Sequence, residues 1–191
     1  TYEAIRMTRS QEGYPLIITE DRWKRQREMM ESRLLAHLEL FSQAYARNCE
    51  IRRIEKAEAQ EFLNKHHSYG YAACKYRYGL FLKRHTGHIA EEMRSLDKLG
   101  MTEGRLKMTE GKLIAVATFS NARRWIKDGK EIRSYEWTRY ASLPDLRVSG
   151  GMGKLLKAFI KEVEPDDIMS YADLEWSEGE VYERLGFEAE A

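Results

Sequence analysis

Cysteine, proline and long apolar runs are scarce in this sequence, and each scarcity excludes a class of protein. The 191 residues include only two cysteines, Cys49 and Cys74, and three prolines. So few cysteines exclude a disulfide scaffold and favour a reducing, cytoplasmic setting. So few prolines, together with 11% aromatic residues, exclude a low-complexity, disordered chain. The most apolar run, residues 113–119, is far below the roughly 20 residues of a membrane span, so no membrane partner is expected.

The abundant residues are those of a globular domain. Hydrophobic residues make up 42% and charged residues 33%, and the length suits one domain with a helical extension. The net charge of +1 conceals an asymmetry, because residues 51–85 and 121–157 each carry +5 while residues 158–191 carry −9. A basic face of this kind would attract phosphate from a cofactor or a nucleic acid. Solvated surface charge, balanced across the fold, is the alternative interpretation.

Hydrophobic periodicity predicts the order of the elements. Apolar side chains at spacings of three and four predict one helix over residues 20–47, in a helical extension that we place at 1–48. The remaining domain, 49–191, contains an insert at about 85–112 with a helix over 89–99. Its other predicted elements are strands at 49–54, 74–83, 113–120, 132–142 and 167–172, a turn at 109–112, and helices at 56–66, 154–163 and 179–185. This order is typical of a mixed α/β fold.

A glycine-rich loop precedes the helix predicted at 154–163. Gly150, Gly151 and Gly153 let backbone N–H groups approach a ligand closely, and a helix N-terminus favours an anion. Arg147 and Lys154 would add positive charge. The spacing matches neither the nucleotide P-loop nor the dinucleotide fingerprint. The loop therefore predicts a pyrophosphate cradle, with a tight structural connection as the alternative.

Segments near the C-terminus carry a resemblance to a known family. The strand ending at Ser170–Asp173, followed by a short helix with Tyr182 and by Leu185–Phe187, resembles the ending of the GNAT acyltransferase fold. The chain is most similar to a GNAT-like branch of phages and mobile elements, the Mom-like DNA-modification proteins. The matching segments, which span about residues 50–187, are Phe62–Gly70, Phe119–Ser120, Tyr135–Tyr140, Gly150–Lys154 and Ser170–Asp173 with Tyr182.

The resemblance implies a fold and an activity. The fold would be a mixed, mostly antiparallel sheet flanked by helices, with a final strand after Phe187 that we expect to be missing or replaced. The activity would be transfer of an acyl-type group from acetyl-CoA or another acyl-CoA to a nitrogen, and the Mom-like branch implies a base in DNA as the acceptor. The basic position of the family's loop pattern falls on Val148, with Arg147 one residue earlier. An ordinary N-acetyltransferase of a small amine or a protein, and a non-catalytic nucleic-acid-binding module, are the alternatives.

The resemblance also implies roles for individual side chains. Tyr182 would be the general acid that protonates the departing thiolate. Asp173, at the end of a central strand, would act as a base, a metal ligand or an amine anchor, and His67 would be a general base or would pair with Asp173 across the cleft. Phe119 and Ser120 would line the wall of the pantetheine slot. The structural alternatives are a packed aromatic for Tyr182, a turn cap for Asp173 and a loop-stabilising group for His67.

Two further sites would combine side chains from separate segments. His67, Asp173 and Tyr182 would form an oxygen-and-nitrogen cluster for iron, a metal that the sequence by itself does not establish. The side chains that would track phosphates and stack bases are Arg123, Arg124, Trp125 and Arg139. Regular strand alternation puts Glu136 and Arg139, three residues apart, on opposite faces of their strand. The sequence leaves the oligomeric state open.

Overall fold

Five α-helices and eight strands make up the described part of the chain. A computed structural model describes residues 18–83, 111–127, 129–144, 146–173 and 179–189. The helices are α1 (Glu20–Arg25), α2 (Arg27–His37), α3 (Lys56–His66), α4 (Gly151–Val163) and α5 (Glu180–Glu183), with a 3-10 turn at Ala46–Asn48. The strands are β1 (Ser42–Tyr45), β2 (Cys49–Arg53), β3 (Tyr76–Leu82), β4 (Leu113–Phe119), β5 (Arg123–Lys127), β6 (Lys130–Ser142), β7 (Leu146–Ser149) and β8 (Asp167–Ser170). The helix predicted at 89–99 and the first half of the turn predicted at 109–112 lie outside the described residues.

Six of these strands form one mixed sheet. Five of them follow the order β2-β3-β4-β6-β5, each antiparallel to its neighbour, and β8 pairs with β6 in parallel. Trp137 of β6 pairs with Phe119 of β4 and with Ser170 of β8, so β4 and β8 lie on opposite edges of β6. Strands β1 and β7 form a separate parallel pair. The predicted mixed α/β fold, with a mostly antiparallel sheet flanked by helices, is confirmed.

The core lies between this sheet and helix α4. The ring of Phe119 is stacked on that of Phe159 of α4, with centroids 3.9 Å apart, and both side chains are fully buried. The rings of Tyr76, Tyr78 and Tyr135 pack against Phe159 edge-on. Each fully buried aromatic or aliphatic side chain contributes about 1.5–3 kcal/mol, so these layers fix α4 against the middle of the sheet.

The N-terminal segment differs from the single helix predicted over 20–47. The helical pattern is interrupted at Gln26 and ends at His37. Glu39 then adopts a left-handed backbone (φ 61°), which an L-residue does not take inside a right-handed helix. Residues 42–45 become strand β1, paired with β7 over its whole length. The end of the predicted helical extension is therefore part of the sheet-bearing domain.

The elements predicted within the domain agree well with those observed. Helix α3 begins and ends at the predicted residues, and β2, β3, β4, β6, β8, α4 and α5 differ from their predictions only at the ends. Strands β1, β5 and β7 are additional. No helix among the described residues is both long and apolar enough to cross a membrane.

Candidate functional site

The candidate site lies where strands β6 and β8 part. Strand β8 pairs with β6 only from Ser134 to Trp137, although β6 continues to Ser142. Among the described strands, none pairs with the β8-side edge of β6 over residues 138–142. Helix α4 connects the two parallel strands, so its N-terminus lies at the end where they separate. In open α/β sheets, ligands bind in the crevice outside the carboxyl ends of such strands.

A β-bulge at Thr138 shapes this split. Thr118 of β4 is opposite Arg139, and the next residue, Phe119, is opposite Trp137, so Thr138 is the extra residue. Directly opposite residues share a face of the sheet and successive residues alternate. Trp137 and Arg139 therefore lie on opposite faces although they are two apart. The prediction that Glu136 and Arg139 lie on opposite faces is wrong, because the bulge shifts the alternation by one residue.

The bulge divides the site into two groups of side chains. Trp137 shares a face with Phe119, which packs on α4, and Arg139 lies on the other face, with α3 and the loop that follows it. The aromatic cluster, on the α4 face, consists of Trp137, Tyr140, Tyr182 and Phe187. The arginine cluster, on the α3 face, consists of Arg22, Arg33, His67, Tyr69, Arg139 and Asp173.

Tyr182 is at the centre of the aromatic cluster. Its ring centroid lies 6.1 Å from that of Trp137 and 5.5 Å from that of Phe187, both in edge-to-face geometry. In the same segment, the Leu185 side chain lies so close to Gly153 that a Cβ there would be 3.2 Å from Leu185 Cδ2. The structure thus places half-buried Tyr182 beside Trp137, where pairing with β8 ends, with its segment against the first turn of α4.

The glycine loop has a steric function that the sequence pattern does not reveal. Gly150, the residue before α4, has a left-handed backbone (φ 74°), which glycine adopts without strain. A Cβ on Gly151 would lie 3.1 Å from the Tyr140 hydroxyl and 3.0 Å from Val148. Gly151 therefore allows α4 to begin directly against β6 and β7. Tyr140 was not among the predicted site residues; burial raises its pKa, so the hydroxyl keeps its proton at neutral pH.

The two basic residues assigned to the cradle point elsewhere. The Lys154 ammonium group donates hydrogen bonds to the carbonyl oxygens of Ala46 (2.7 Å) and Cys49 (2.6 Å). This differs from the predicted role, since the charge is directed at the protein's own backbone and ties α4 to the start of β2. Arg147 is exposed on β7, with its guanidinium group 5.5 Å from the centre of the Phe41 ring.

Phe119 and Ser120 do not line an open slot. Phe119 is fully buried against Phe159, and both edges of its strand are paired, with β3 and β6. The Ser120 hydroxyl accepts a hydrogen bond from the backbone N–H of Glu136 (2.9 Å) and donates one to the carbonyl of Asn121 (2.8 Å). Their assignment to the wall of the slot is therefore corrected: where β6 and β8 separate, the edge left unpaired by the described strands belongs to β6, not to β4.

The arginine cluster joins three distant segments. The Arg22 guanidinium group of α1 donates to the Tyr69 hydroxyl at 2.7 Å and lies 4.0 Å from the Asp173 carboxylate. Arg139 of β6 donates through Nε to the carbonyl of Gly70 at 3.2 Å. Arg22 and Tyr69 had no predicted role, and periodicity placed Arg22 only in a helix, so its contact with a loop 47 residues away had no local signal.

His67 is neutral in this environment. Its Nδ1 accepts a hydrogen bond from the backbone N–H of Tyr69 (3.1 Å), which puts any ring proton on Nε2. Burial, together with the charges of Arg139 and Arg33, lowers its pKa to about 4, and the Asp173 carboxylate acts in the opposite direction. The charge of Asp173 thus acts on His67, but an imidazole with this lowered pKa is a weak base.

The side chains predicted to bind a metal or a nucleic acid are arranged differently in the structure. Within the described residues, no group of three or more His, Cys, Asp and Glu side chains is arranged to hold a metal ion. The nucleic-acid residues are divided between two places. Arg123, Arg124 and Trp125 lie on the exposed edge strand β5, where the two arginines form ion pairs with Glu136 (3.5 Å) and Glu131 (3.0 Å). Arg139 belongs to the arginine cluster.

No protein-family profile, no curated protein and no solved structure matches this chain. The resemblance to GNAT acyltransferases therefore remains a prediction from the quoted motifs, and any function must be argued from the geometry of the split.

Proposed function

We propose that the protein is a GNAT-like transferase that moves an acyl-type group from a coenzyme A-like donor to a nitrogen acceptor. The observation that supports this proposal most is the parallel unit β6–α4–β8, whose strands pair over four residues and then separate beside a glycine-rich helix N-terminus. This arrangement offers an open strand edge and an anion-binding helix end at one place.

The donor side of the proposed site is built from backbone groups. The edge of β6 beyond Trp137 presents peptide N–H and C=O groups suited to the amides of a pantetheine arm. One of these carbonyls, that of Arg139, accepts a hydrogen bond from the Trp137 indole (3.0 Å). Gly150 and the first N–H groups of α4 would face the pyrophosphate. Lys154 is not included, because its ammonium group is bound to two carbonyl oxygens.

The chemistry on the protein side is the handling of protons. An acyl-CoA would supply the acyl group as a thioester with a thiolate leaving group. Tyr182 holds a phenolic proton beside the split, where it can serve a developing thiolate. Asp173, whose carboxylate is on the opposite side of the split with Arg22, can hold or deprotonate an amine. We assign His67 a positioning function, since burial keeps it neutral and its Nδ1 holds the loop.

The donor proposal is testable with two glycines that share a left-handed φ angle. Gly150 at α4 has φ 74°, and Gly129, in the turn between β5 and β6, has φ 75° with open space around it. Alanine at either position costs about 1–2 kcal/mol of stability through backbone strain. Only Gly150→Ala should also weaken coenzyme A binding, by about tenfold, measured by calorimetry. Absence of any coenzyme A binding by the unmodified protein would refute the donor proposal.

The acceptor is tested separately. We propose a base in DNA as the acceptor, because exposed aromatic and basic side chains flank the split; a small amine or a protein amine is the second candidate. Mass spectrometry of nucleosides from the DNA of cells expressing the protein, compared with cells expressing Tyr182→Phe, should reveal a base with an added mass that depends on Tyr182. Unmodified DNA in both strains, together with coenzyme A binding, would favour the small-amine or protein acceptor.

A further inference from the structure

Tyr69 lies beside two guanidinium groups from distant parts of the chain. The Arg22 guanidinium carbon is 4.9 Å from the centre of the Tyr69 ring, and that of Arg139 is 5.9 Å from it. Arg22 belongs to α1, outside the predicted domain, whereas Arg139 follows the bulge in β6. Helix α1 thus contributes directly to the side chains at the split.

These groups are held in place by the protein itself. Arg139 donates to the carbonyls of Gly70 (3.2 Å) and Thr138 (2.7 Å), which orients its guanidinium plane. The Arg22 side chain is only 14% exposed and is fixed on the Tyr69 hydroxyl. The Tyr69 residue itself is 55% exposed. An aromatic ring therefore remains accessible to a ligand beside two pre-oriented cations.

The local electrostatic potential favours an anion. Within the described residues, the cluster contains three guanidinium groups, those of Arg22, Arg33 and Arg139, and one carboxylate, that of Asp173. The positive groups therefore dominate at the centre of the cluster. Guanidinium groups match phosphate in shape and charge, and aromatic rings stack on nucleobases. A ligand that satisfies both features carries a phosphate next to an aromatic base.

We propose that Arg22, Tyr69 and Arg139 form a subsite for one nucleotide of the acceptor, with its phosphate beside the two guanidinium groups and its base against the Tyr69 ring. This inference rests on the proposed function and names the acceptor class of that site. The subsite is adjacent to the split, since Arg139 is two residues beyond Trp137, where pairing with β8 ends, and Asp173 is three residues beyond Ser170.

Binding of a fluorescein-labelled octathymidylate to the full chain, followed by fluorescence anisotropy, tests the subsite. Tyr69→Leu should weaken binding about tenfold or more, because one stacked base is lost. Tyr69→Phe keeps the ring and should retain most of the affinity. Arg22→Gln should lower the slope of log affinity against log salt by about 0.7, the value for one lost phosphate contact with a single strand.

Strand β5 supplies the competing set of variants. Trp125→Leu and Arg123→Gln make the same chemical changes at two residues that the sequence predicts to bind nucleic acid but that lie outside the cluster, and the proposal expects each to weaken binding less than its counterpart, Tyr69→Leu or Arg22→Gln. A larger loss in these variants than in Tyr69→Leu would overturn the proposal and place the contact on β5. Unchanged affinity in both Tyr69→Leu and Arg22→Gln, with melting temperatures like that of the unmodified protein, would also overturn it.

Competition with thymidine 5′-monophosphate distinguishes the two sources of such a ligand. Displacement of the oligonucleotide by the mononucleotide supports a free nucleotide as the acceptor, and binding of the oligonucleotide without displacement supports a nucleic-acid strand. Binding of neither overturns the subsite. Coenzyme A binding, measured in parallel by calorimetry, should be unaffected by Tyr69→Leu, so a failure of the donor site is recognised independently of a failure of the nucleotide subsite.

Discussion

The two faces of the split differ in how they are held together. On the α4 face, aromatic rings pack on one another and on the core, from Phe159 through Phe119 and Trp137 to Tyr182. On the α3 face, charged and polar groups join α1, the loop after α3 and β6 through hydrogen bonds and cation–ring contacts. An apolar face resists rearrangement, because buried aromatic packing is dense and specific. A polar face at the same edge provides charge and exposed rings for a ligand.

The largest effect on stability should come from removing the packing that supports the aromatic face. Phe119→Ala deletes a fully buried ring stacked on Phe159, and should lower the free energy of unfolding by about 3–5 kcal/mol. Trp125→Ala, on the exposed strand β5, is the control and should change it by about 0.5 kcal/mol or less. Urea unfolding measures both. A small loss for Phe119→Ala would mean that the ring is not a core residue.

A change in Tyr182 tests whether the aromatic face performs chemistry or only packs. Tyr182→Phe keeps the ring against Trp137 and Phe187 and removes only the hydroxyl. Turnover in an acyl-transfer assay should fall about a hundredfold or more, because the general acid is lost, while the melting temperature stays nearly constant. Tyr140→Phe is the matched control, since its hydroxyl is packed against Gly151. Full activity in Tyr182→Phe would mean that the tyrosine has only a structural function.

The polar face should give the protein a characteristic pH dependence. The pKa of His67 is lowered to about 4, so between about pH 6.5 and pH 4 the unfolded chain binds a proton that the folded chain does not. Stability should therefore fall as the pH decreases through this window, by an amount on the order of 2 kcal/mol after allowance for solvent screening. In His67→Asn, whose side-chain oxygen can still accept from the Tyr69 N–H, this part of the decrease should disappear. An identical pH profile for both proteins would contradict a buried neutral imidazole.

The last effect on stability concerns the lysine behind the donor site. Lys154→Met keeps an unbranched side chain but leaves the carbonyls of Ala46 and Cys49 without their charged donor. The free energy of unfolding should fall by about 1–3 kcal/mol, and the affinity for coenzyme A should not change. Calorimetric binding and thermal melting of the same sample distinguish the two. A loss of coenzyme A affinity with unchanged stability would mean that Lys154 contacts the phosphate, as the sequence predicted. Lys157→Met, at an exposed position one turn later, is the control.

The local sequence pattern was sufficient to predict the elements that are stabilised by local contacts or that are fully buried. Helix α3 was predicted at its observed ends because Phe62 and Leu63 lie on one inward stripe, and β4 because it is an apolar run buried on both faces. Strands β1 and β7 were missed because each has four residues, and their pairing joins segments about a hundred residues apart. Strand β5 was missed because a segment with adjacent arginines has the composition of a loop. Such pairings depend on contacts that no short window contains.

The sequence could not show how the structure divides the predicted site residues. Tyr182 lies with Trp137 on the α4 face of the sheet, and Asp173 lies with His67 and Arg22 on the α3 face. The bulge at Thr138 had no signal in the residues around it, and it determines which face Arg139 occupies. The direction of Lys154 also had no signal, because a lysine beside a glycine loop can turn either toward a ligand or toward nearby carbonyls.

The parallel pair β1–β7 has a consequence for how this protein can be divided. Residues 42–45 precede the first strand of the main sheet, yet they lie along 146–149, immediately before the loop that begins α4. A shortened chain starting at residue 49 would lose the partner of β7, expose the edge beside Gly150, and deprive Lys154 of the carbonyl of Ala46. The practical boundary for dissecting the helices from the domain therefore lies at residues 38–41. A protease that cuts there would release α1 and α2 together and leave the donor side of the split on one uncut chain.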